Sequence, residues 1–274
     1  MHKHLKRIHS KNPLVLCITN FVTANDCANA ILAVGGSPVM SKCIEETQDL
    51  LSMAASLVLN IGTVDEFSQP IMEYSAAIAD DQNLPLVLDP VGVGATKWRM
   101  DVTQWILQGM IPSIIRGNAS EIGALHDMDN SNQKGVDAQK GVKLAQRLEL
   151  AKDLASSLKT VVVVTGAEDV ISQGKDTYIV KGGSELLTKI TGSGCMLSAI
   201  MGAFLSVTPE NPFISAYNAC RLMKEASERA EESLKRKTDI GEFRVKLFDE
   251  LYAAKDIPDT SDKEGPDKSE KTRT

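Results

Sequence analysis

The sequence is short of several things, and each shortage closes a class of function. Aromatic residues are 4% of its 274 residues. That is thin for a base-stacking surface and for an all-β sandwich. Basic residues are outnumbered, 30 Lys and Arg against 36 Asp and Glu, for a net charge of −6. No positive field gathers a polyanion, so nucleic acid is not an expected partner. Histidine occurs four times, and only His126 lies beyond the first nine residues. A Ser-His-Asp triad or a histidine metal centre has little to draw on. His2, His4 and His9 stand near a chain end read as flexible.

Other signatures are missing. The five cysteines (17, 27, 43, 195 and 220) contain no C-x-x-C pair. Free thiols in a reducing compartment follow, hence a cytoplasmic protein, rather than a disulfide framework or zinc site. There is no G-x-x-x-x-G-K-[ST], no complete G-x-G-x-x-G after the first apolar run, and no G-x-S-x-G elbow. The longest uncharged stretch, 190–209, carries Gly192, Gly194, Gly202 and several hydroxyls. It reads as a buried core helix rather than a span of about 20 mostly apolar residues, so no membrane is expected. The start is basic (Lys3, Lys6, Arg7, Lys11) without an apolar segment, which suggests a basic first helix and not a signal peptide. From 258 to 274 no apolar residue occurs, so residues 257–274 read as a disordered polar tail.

What remains is an ordinary globular body, 43% hydrophobic and 24% charged, long enough for one full core without staples. Short runs rich in Val, Ile and Leu predict buried strands at 14–18, 57–61, 84–88, 114–115 and 161–164. Segments of helical period lie between them at 26–34, 43–54, 66–79, 119–126 and 140–158. Continuous apolar runs suit parallel strands covered on both faces. The expected fold is α/β, a mainly parallel central sheet with helices on both faces. Two antiparallel strands are expected at 169–172 and 177–180 around a glycine turn. Nearly all helix is expected from Gly194 onward.

In such a sheet the ligand site lies beyond the C-terminal ends of the strands. Polar residues and glycines cluster there: Thr19-Asn20, Met40, Asn60-Ile61-Gly62, Asp89-Pro90-Val91-Gly92, Arg116-Gly117-Asn118-Ala119-Ser120-Glu121 and Thr165-Gly166. Thr191-Gly192-Ser193-Gly194-Cys195 opens the buried helix. Its two glycines can expose amides at a helix N-terminus, which makes an anion site; tight packing is the other reading. Asp89 and Glu121 can hold Mg²⁺ on a phosphate through water, although Glu121 also has capping-box spacing from Asn118. Arg116 can clamp phosphate oxygens or pair with a carboxylate. A helix N-terminus lowers a thiol pKa, so Cys195 is either activated or simply buried.

The motifs together resemble the hydroxyethylthiazole kinase family of the ribokinase-like superfamily. Besides the strand exits above, the likeness rests on Asn25-Asp26-Cys27-Ala28-Asn29, Gly36-Ser37-Pro38-Val39-Met40 and Lys134-Gly135-Val136-Asp137. Leu88-Asp89-Pro90-Val91-Gly92-Val93-Gly94-Ala95-Thr96 and Lys189-Ile190-Thr191-Gly192-Ser193-Gly194-Cys195 complete it. The resemblance implies one ribokinase-like kinase domain over 1–256. It implies transfer of the ATP γ-phosphoryl to the primary alcohol of 4-methyl-5-(2-hydroxyethyl)thiazole, in thiamine salvage. It also implies a homotrimer with sites at subunit interfaces. Position by position, Met40, Gly192 and Asn20 match thiazole-binding residues, Arg116 and Thr165 match ATP contacts, and Asp89 and Glu121 match a magnesium-associated pair. Cys195 stands where most ribokinase-like kinases carry an aspartate base. Phosphoryl transfer is mainly positioning and charge stabilisation. The expectation is therefore that the anion hole and Arg116 carry catalysis, with Cys195 assisting weakly and no phosphocysteine. The alternatives are another kinase of the superfamily, such as hydroxymethylpyrimidine (phosphate) kinase, and a catalytically silent thiazole-binding protein.

Overall fold

The computed structural model describes residues 1–129, 142–174 and 176–257. The Lys134 to Asp137 motif, the start of the 140–158 segment and the polar stretch from 258 lie outside the described residues. In chain order the elements begin with α1 (His2–Lys11), β1 (Leu14–Ile18), α2 (Ala24–Ala33), β2 (Ser37–Met40), α3 (Ile44–Met53) and β3 (Ser56–Asn60). Next come α4 (Ser68–Asp81), β4 (Leu86–Asp89), α5 (Lys97–Gly109), β5 (Ile114–Asn118), α6 (Ala119–Asp129) and α7 (Leu144–Leu158). The last are β6 (Val161–Thr165), β7 (Asp169–Gln173), β8 (Asp176–Val180), α8 (Ser193–Leu205), α9 (Pro212–Glu232) and α10 (Ile240–Ala253).

The eight strands form one sheet in the order β2-β1-β3-β4-β5-β6-β7-β8. Pairing is parallel from β2 through β6, and β7 and β8 add an antiparallel edge. The period-two alternation of a strand divides the apolar residues between two cores. Val15, Cys17, Val58, Val87, Ile114 and Val163 pack with α8, α9 and α10. Leu16, Ile18, Leu59, Leu88, Ile115 and Val164 pack with the helices of the other face. Both faces are covered, which is why the strands read as continuous apolar runs rather than alternating ones.

Helix α8 is the uncharged stretch of the sequence, and Met196 through Leu205 are all buried. It lies directly on the sheet. A Cβ at Gly202 would overlap Val58, and Ser56 Oγ donates to the Gly202 carbonyl at 2.9 Å. Close approach, not lipid, explains its composition; among the described residues no helix is long and apolar enough to cross a membrane.

Two elements escape the periodicity. Strand β2 is four half-buried residues at the sheet edge, where Pro38 costs little because an edge strand has donors to spare. Helix α5 buries only Val102, Thr103 and Ile106, while Trp98 and Trp105 stay 39% and 37% exposed, so no clean apolar stripe shows. Its start is nonetheless marked: Thr96 accepts from the Arg99 amide at 3.3 Å, a cap of about 1 kcal/mol. The end read as flexible is also corrected. His2 is buried, its Nδ1 3.2 Å from the Ala254 carbonyl oxygen, and His4 Nδ1 lies 2.9 Å from Asn218 Nδ2. Leu5 and Ile8 insert into the core beside α8, and that burial orders α1.

Candidate active site

All parallel strands end at one edge of the sheet, so their exit residues meet there. Asn20 follows β1, Asn60 closes β3, Asp89 closes β4, Arg116 stands in β5 and Thr165 closes β6. These strands are neighbours in the sheet, and the side chains join into one chain of polar contacts. Asn20 Nδ2 donates to Asn60 Oδ1 at 3.0 Å. Asn60 Nδ2 donates to Asp89 Oδ2 at 2.7 Å, as their direct register pairing allows. Arg116 Nη1 lies 3.4 Å from Asp89 Oδ1, and Arg116 Nη2 donates to Thr165 Oγ1 at 2.8 Å.

Cys195 closes the chain from the helix side. Its Sγ accepts from Asn20 Nδ2 at 3.3 Å and from Asn60 Nδ2 at 3.2 Å. Asn20 Oδ1 in turn accepts from the Thr23 amide and hydroxyl, and Asn60 Oδ1 from the Gly62 amide. Both side-chain amides are thus fully committed, which fixes their orientation. One helical turn beyond Gly194, Ser198 Oγ donates to Asp89 Oδ2 at 2.9 Å.

The electrostatics follow burial and charge. Asp89 is fully buried, and burial lifts its carboxyl above the usual carboxylate value against the pull of Arg116. Burial works to lower Arg116, but the charges of Asp89 and Glu121 outweigh it and hold the guanidinium above its ordinary value. Arg116 is therefore a fixed cation. Its buried Nε has no acceptor among the described residues, a donor suited to an anionic oxygen. Of the two readings open for Cys195, activated or simply buried, burial prevails. Burial, then the Asp89 charge, raises the thiol above its ordinary value. Desolvation of a buried thiolate wins over the helix end.

The glycines of the α8 entry have defined jobs. Gly192 has φ +81, and a Cβ there would overlap Thr23. A Cβ at Gly194 would overlap the Arg116 guanidinium. Without side chains the first amides of α8 stand open beside Arg116, and the positive end of the helix faces the strand exits. Next to them is a cleft of about 270 Å³, lined by Arg116, Thr165 and Gly194 together with Ala167, Leu187 and Met223. Charge beside apolar side chains suits a nucleotide polyphosphate and its base.

Asn118 and Glu121 form the expected capping box: the Glu121 amide reaches Asn118 Oδ1 at 2.9 Å and the Asn118 amide reaches Glu121 Oε2 at 2.8 Å. Glu121 Oε1 also accepts from the Gly92 amide at 2.9 Å, tying the β4 exit to the β5 exit. These oxygens fit magnesium in one way. Among the described residues no three acidic, thiol or imidazole groups cluster around a metal-sized space. Asp89 and Glu121 already accept protein donors. Magnesium keeps several waters and prefers phosphate oxygens, so the two carboxylates suit a metal carried by the triphosphate and reached through water. Met40 stands apart from the polar chain. It ends the edge strand β2, opposite Cys17 of β1, and packs on the core of the α8 face.

Asn60 and Ser198 belong to the site although no motif in the chain singles them out. Asn60 was visible only as one more polar strand exit. Ser198 has a signal, a hydroxyl one helical turn beyond the glycine pair. No motif marks Lys224 either: a lysine in the buried stripe of α9, in register with Cys220 and Ser227.

Comparison with known proteins agrees with this geometry. The model of the hydroxyethylthiazole kinase family matches residues 5–256. A relative named hydroxyethylthiazole kinase, from Listeria monocytogenes serotype 4a, is 44% identical over 247 residues, 90% of each chain. The solved structure of the hydroxyethylthiazole kinase protein from Pyrococcus horikoshii OT3 is 39% identical, covers 91% of both chains and superposes with a TM-score of 0.82. A ribokinase-like superfamily protein from Enterococcus faecalis V583, 13% identical, superposes with a TM-score of 0.64 over 93% of this chain and 94% of its own, and shares the fold. With its family model matched from the first helix to the last and its strand exits converging on one site, the chain belongs to the hydroxyethylthiazole kinase family.

Proposed function

We propose that the protein transfers the γ-phosphoryl group of ATP to the primary alcohol of 4-methyl-5-(2-hydroxyethyl)thiazole, giving the thiazole phosphate and ADP in thiamine salvage. The observation that carries this reading is the polar chain from Asn20 to Thr165, laid along five strand ends and facing the open N-terminus of α8. The alcohol oxygen forms a bond to the γ-phosphorus, the bond to the β,γ-bridging oxygen breaks, and the alcohol proton leaves to water. Asn20, Met40 and Gly192 border the acceptor. Arg116 and Thr165 hold the nucleotide phosphates. Asp89 and Glu121 would hold magnesium through water, and the ion would supply positive charge to neutralise the ATP phosphates.

The amides of residues 193–195 and the Arg116 guanidinium stabilise the charge of the transferring group. A loose transition state asks little of a base, and the raised Cys195 thiol keeps its proton at neutral pH. Cys195 then orients the acceptor through Asn20 and Asn60 more than it accepts a proton. We read the working form as a homotrimer sharing sites across its interfaces. In support, Phe21 and Val22 follow Asn20 at 73% and 55% exposure, and Phe67, Tyr74, Trp98 and Trp105 in and beside α4 and α5 are exposed as well. Such apolar exposure suits burial by a second copy. Five free thiols fit a cytoplasmic protein.

A coupled ADP-release assay tests the activity. Hydroxyethylthiazole should drive ATP turnover, and hydroxymethylpyrimidine should not. Turnover with the pyrimidine alone would assign another kinase of the fold. Tight thiazole binding with no ADP formed would make the protein a silent binder. Sedimentation of the active species tests the trimer, and a fully active monomer would contradict shared sites.

A further inference from the structure

Lys224 lies on α9, far along the chain from every strand exit, yet it borders the cleft beside Arg116 and Thr165. It is 6% exposed. A lysine that buried needs all its donors met. Its Nζ donates to the Ala167 carbonyl at 3.0 Å and to the Gly182 carbonyl at 3.0 Å, and it lies 3.5 Å from Asp169 Oδ2. An ammonium has three donors; two are taken by these carbonyls, and the third side of the group faces Asp169 at ion-pair distance.

Two of the partners, Ala167 and Asp169, line the cleft, and the third opens a segment that reaches it. Ala167 is in the turn between β6 and β7, and Asp169 Oδ1 accepts from the Gly166 amide at 3.0 Å in that turn. Gly182 is in the loop after β8, which leads to Leu187 and Thr188, also on the lining of the cleft. Helix α9 grips that loop twice more. Glu228 accepts from the Gly183 amide at 2.7 Å, and Ser227 Oγ accepts from the Ser184 amide at 3.0 Å. Gly182 and Gly183 have φ +86 and +92, and a Cβ on Gly182 would overlap the Glu228 carboxylate. From the opposite face of the sheet, Arg147 of α7 donates to the Glu168 carbonyl and holds the other side of the β6–β7 turn.

We propose that Lys224 is a positioning residue for the nucleotide, tying the β6–β7 turn to the loop after β8 and so setting the distance between these two parts of the cleft lining. It acts through Ala167, Gly182 and Asp169 and does not bind ATP. This rests on the assignment of ATP to that cleft, and the two fail differently. The assignment is checked first, by titrating ADP into the wild-type protein in a calorimeter; no ADP binding there sinks the assignment itself. If wild type binds, Lys224→Met combined with Asp169→Asn, which removes the buried charges together, should raise KM for ATP about tenfold, because small misplacements of a binding wall are costly. KM for the thiazole alcohol and kcat should each stay within about threefold of wild type, since neither the acceptor end nor the transferring group is touched. Lys224→Arg, which keeps the cation and its donors, should recover part of the ATP affinity. Glu228 is exposed, so Glu228→Ala tests the same tie without risk to the core, and it should raise KM for ATP about threefold. An unchanged KM for ATP in Glu228→Ala and in a folded Lys224 variant would overturn the proposal. So would a loss confined to kcat.

Discussion

On the β1 and β3 side of the site, Cys195 sits among neutral amides; on the β5 and β6 side, Arg116 spans a carboxylate, a hydroxyl and the open end of α8. Asp89 stands between, with Asn60 and Ser198 on one oxygen and Arg116 facing the other. The amide side fixes geometry with full hydrogen-bond satisfaction and no net charge. The ionic side concentrates fixed charge. An alcohol needs orientation, and a triphosphate needs charge, so the division matches the two substrates of a kinase. Under the proposed function it also accounts for a cysteine on the amide side: a site that gets its rate from preorganised charge asks little of a group beside the alcohol.

The largest effect should come where the two sides meet. Asp89→Asn keeps the shape but leaves Arg116 without its buried counterion, and kcat should fall about 10³-fold. Steady-state kinetics with both substrates saturating will show it. A loss under tenfold would mean that Asp89 belongs to the amide side alone. An intermediate effect is expected from Gly194→Ala, whose methyl would displace the Arg116 guanidinium. KM for ATP should rise about 30-fold with KM for the alcohol near wild type. A rise in the alcohol KM instead would erase the distinction between the sides.

The smallest effect should be at Cys195. Cys195→Ala should lower kcat less than about tenfold, because it removes an acceptor for two amides and not a base. A loss as complete as that from withdrawing magnesium would show the thiol to be the base. The pH dependence has a definite sign. The folded-state thiol holds its proton to higher pH than an unfolded one. Its share of stability is fully present below the ordinary thiol value and is lost as pH rises through the raised one. Iodoacetamide at neutral pH should therefore modify exposed Cys43 first and spare activity, reaching Cys195 only above the ordinary thiol range. Mass spectrometry of partly alkylated protein resolves the order.

Much of this was legible in the chain. The strand runs at 14–18, 114–115 and 161–164 could be read because burial on both faces leaves no polar interruption. The burial of α8 could be read from its missing charges and its glycines. Strand β2 and helix α5 could not: one is four residues at an edge with a proline, and the other buries three residues out of thirteen. The strand-exit residues could be named because parallel strands share a direction, but their partners could not. Whether Arg116 faces Asp89 or Thr165 depends on register between strands 27 and 49 residues apart, and no local pattern encodes that.

The sequence by itself determined the layered α/β plan, the edge where the chemistry gathers, and the glycine-opened helix that faces it. Local propensity and period carry those. Only the tertiary structure decided the state of Cys195 and the place of Lys224. A thiol at a helix N-terminus should ionise readily, yet desolvation by the packed sheet and the nearby Asp89 charge raise it. A lysine in a helical stripe could have paired anywhere, yet packing of α9 on the sheet sets it between two segments that line one cleft. Both outcomes depend on what lies within a few ångströms in space, which sequence distance does not report.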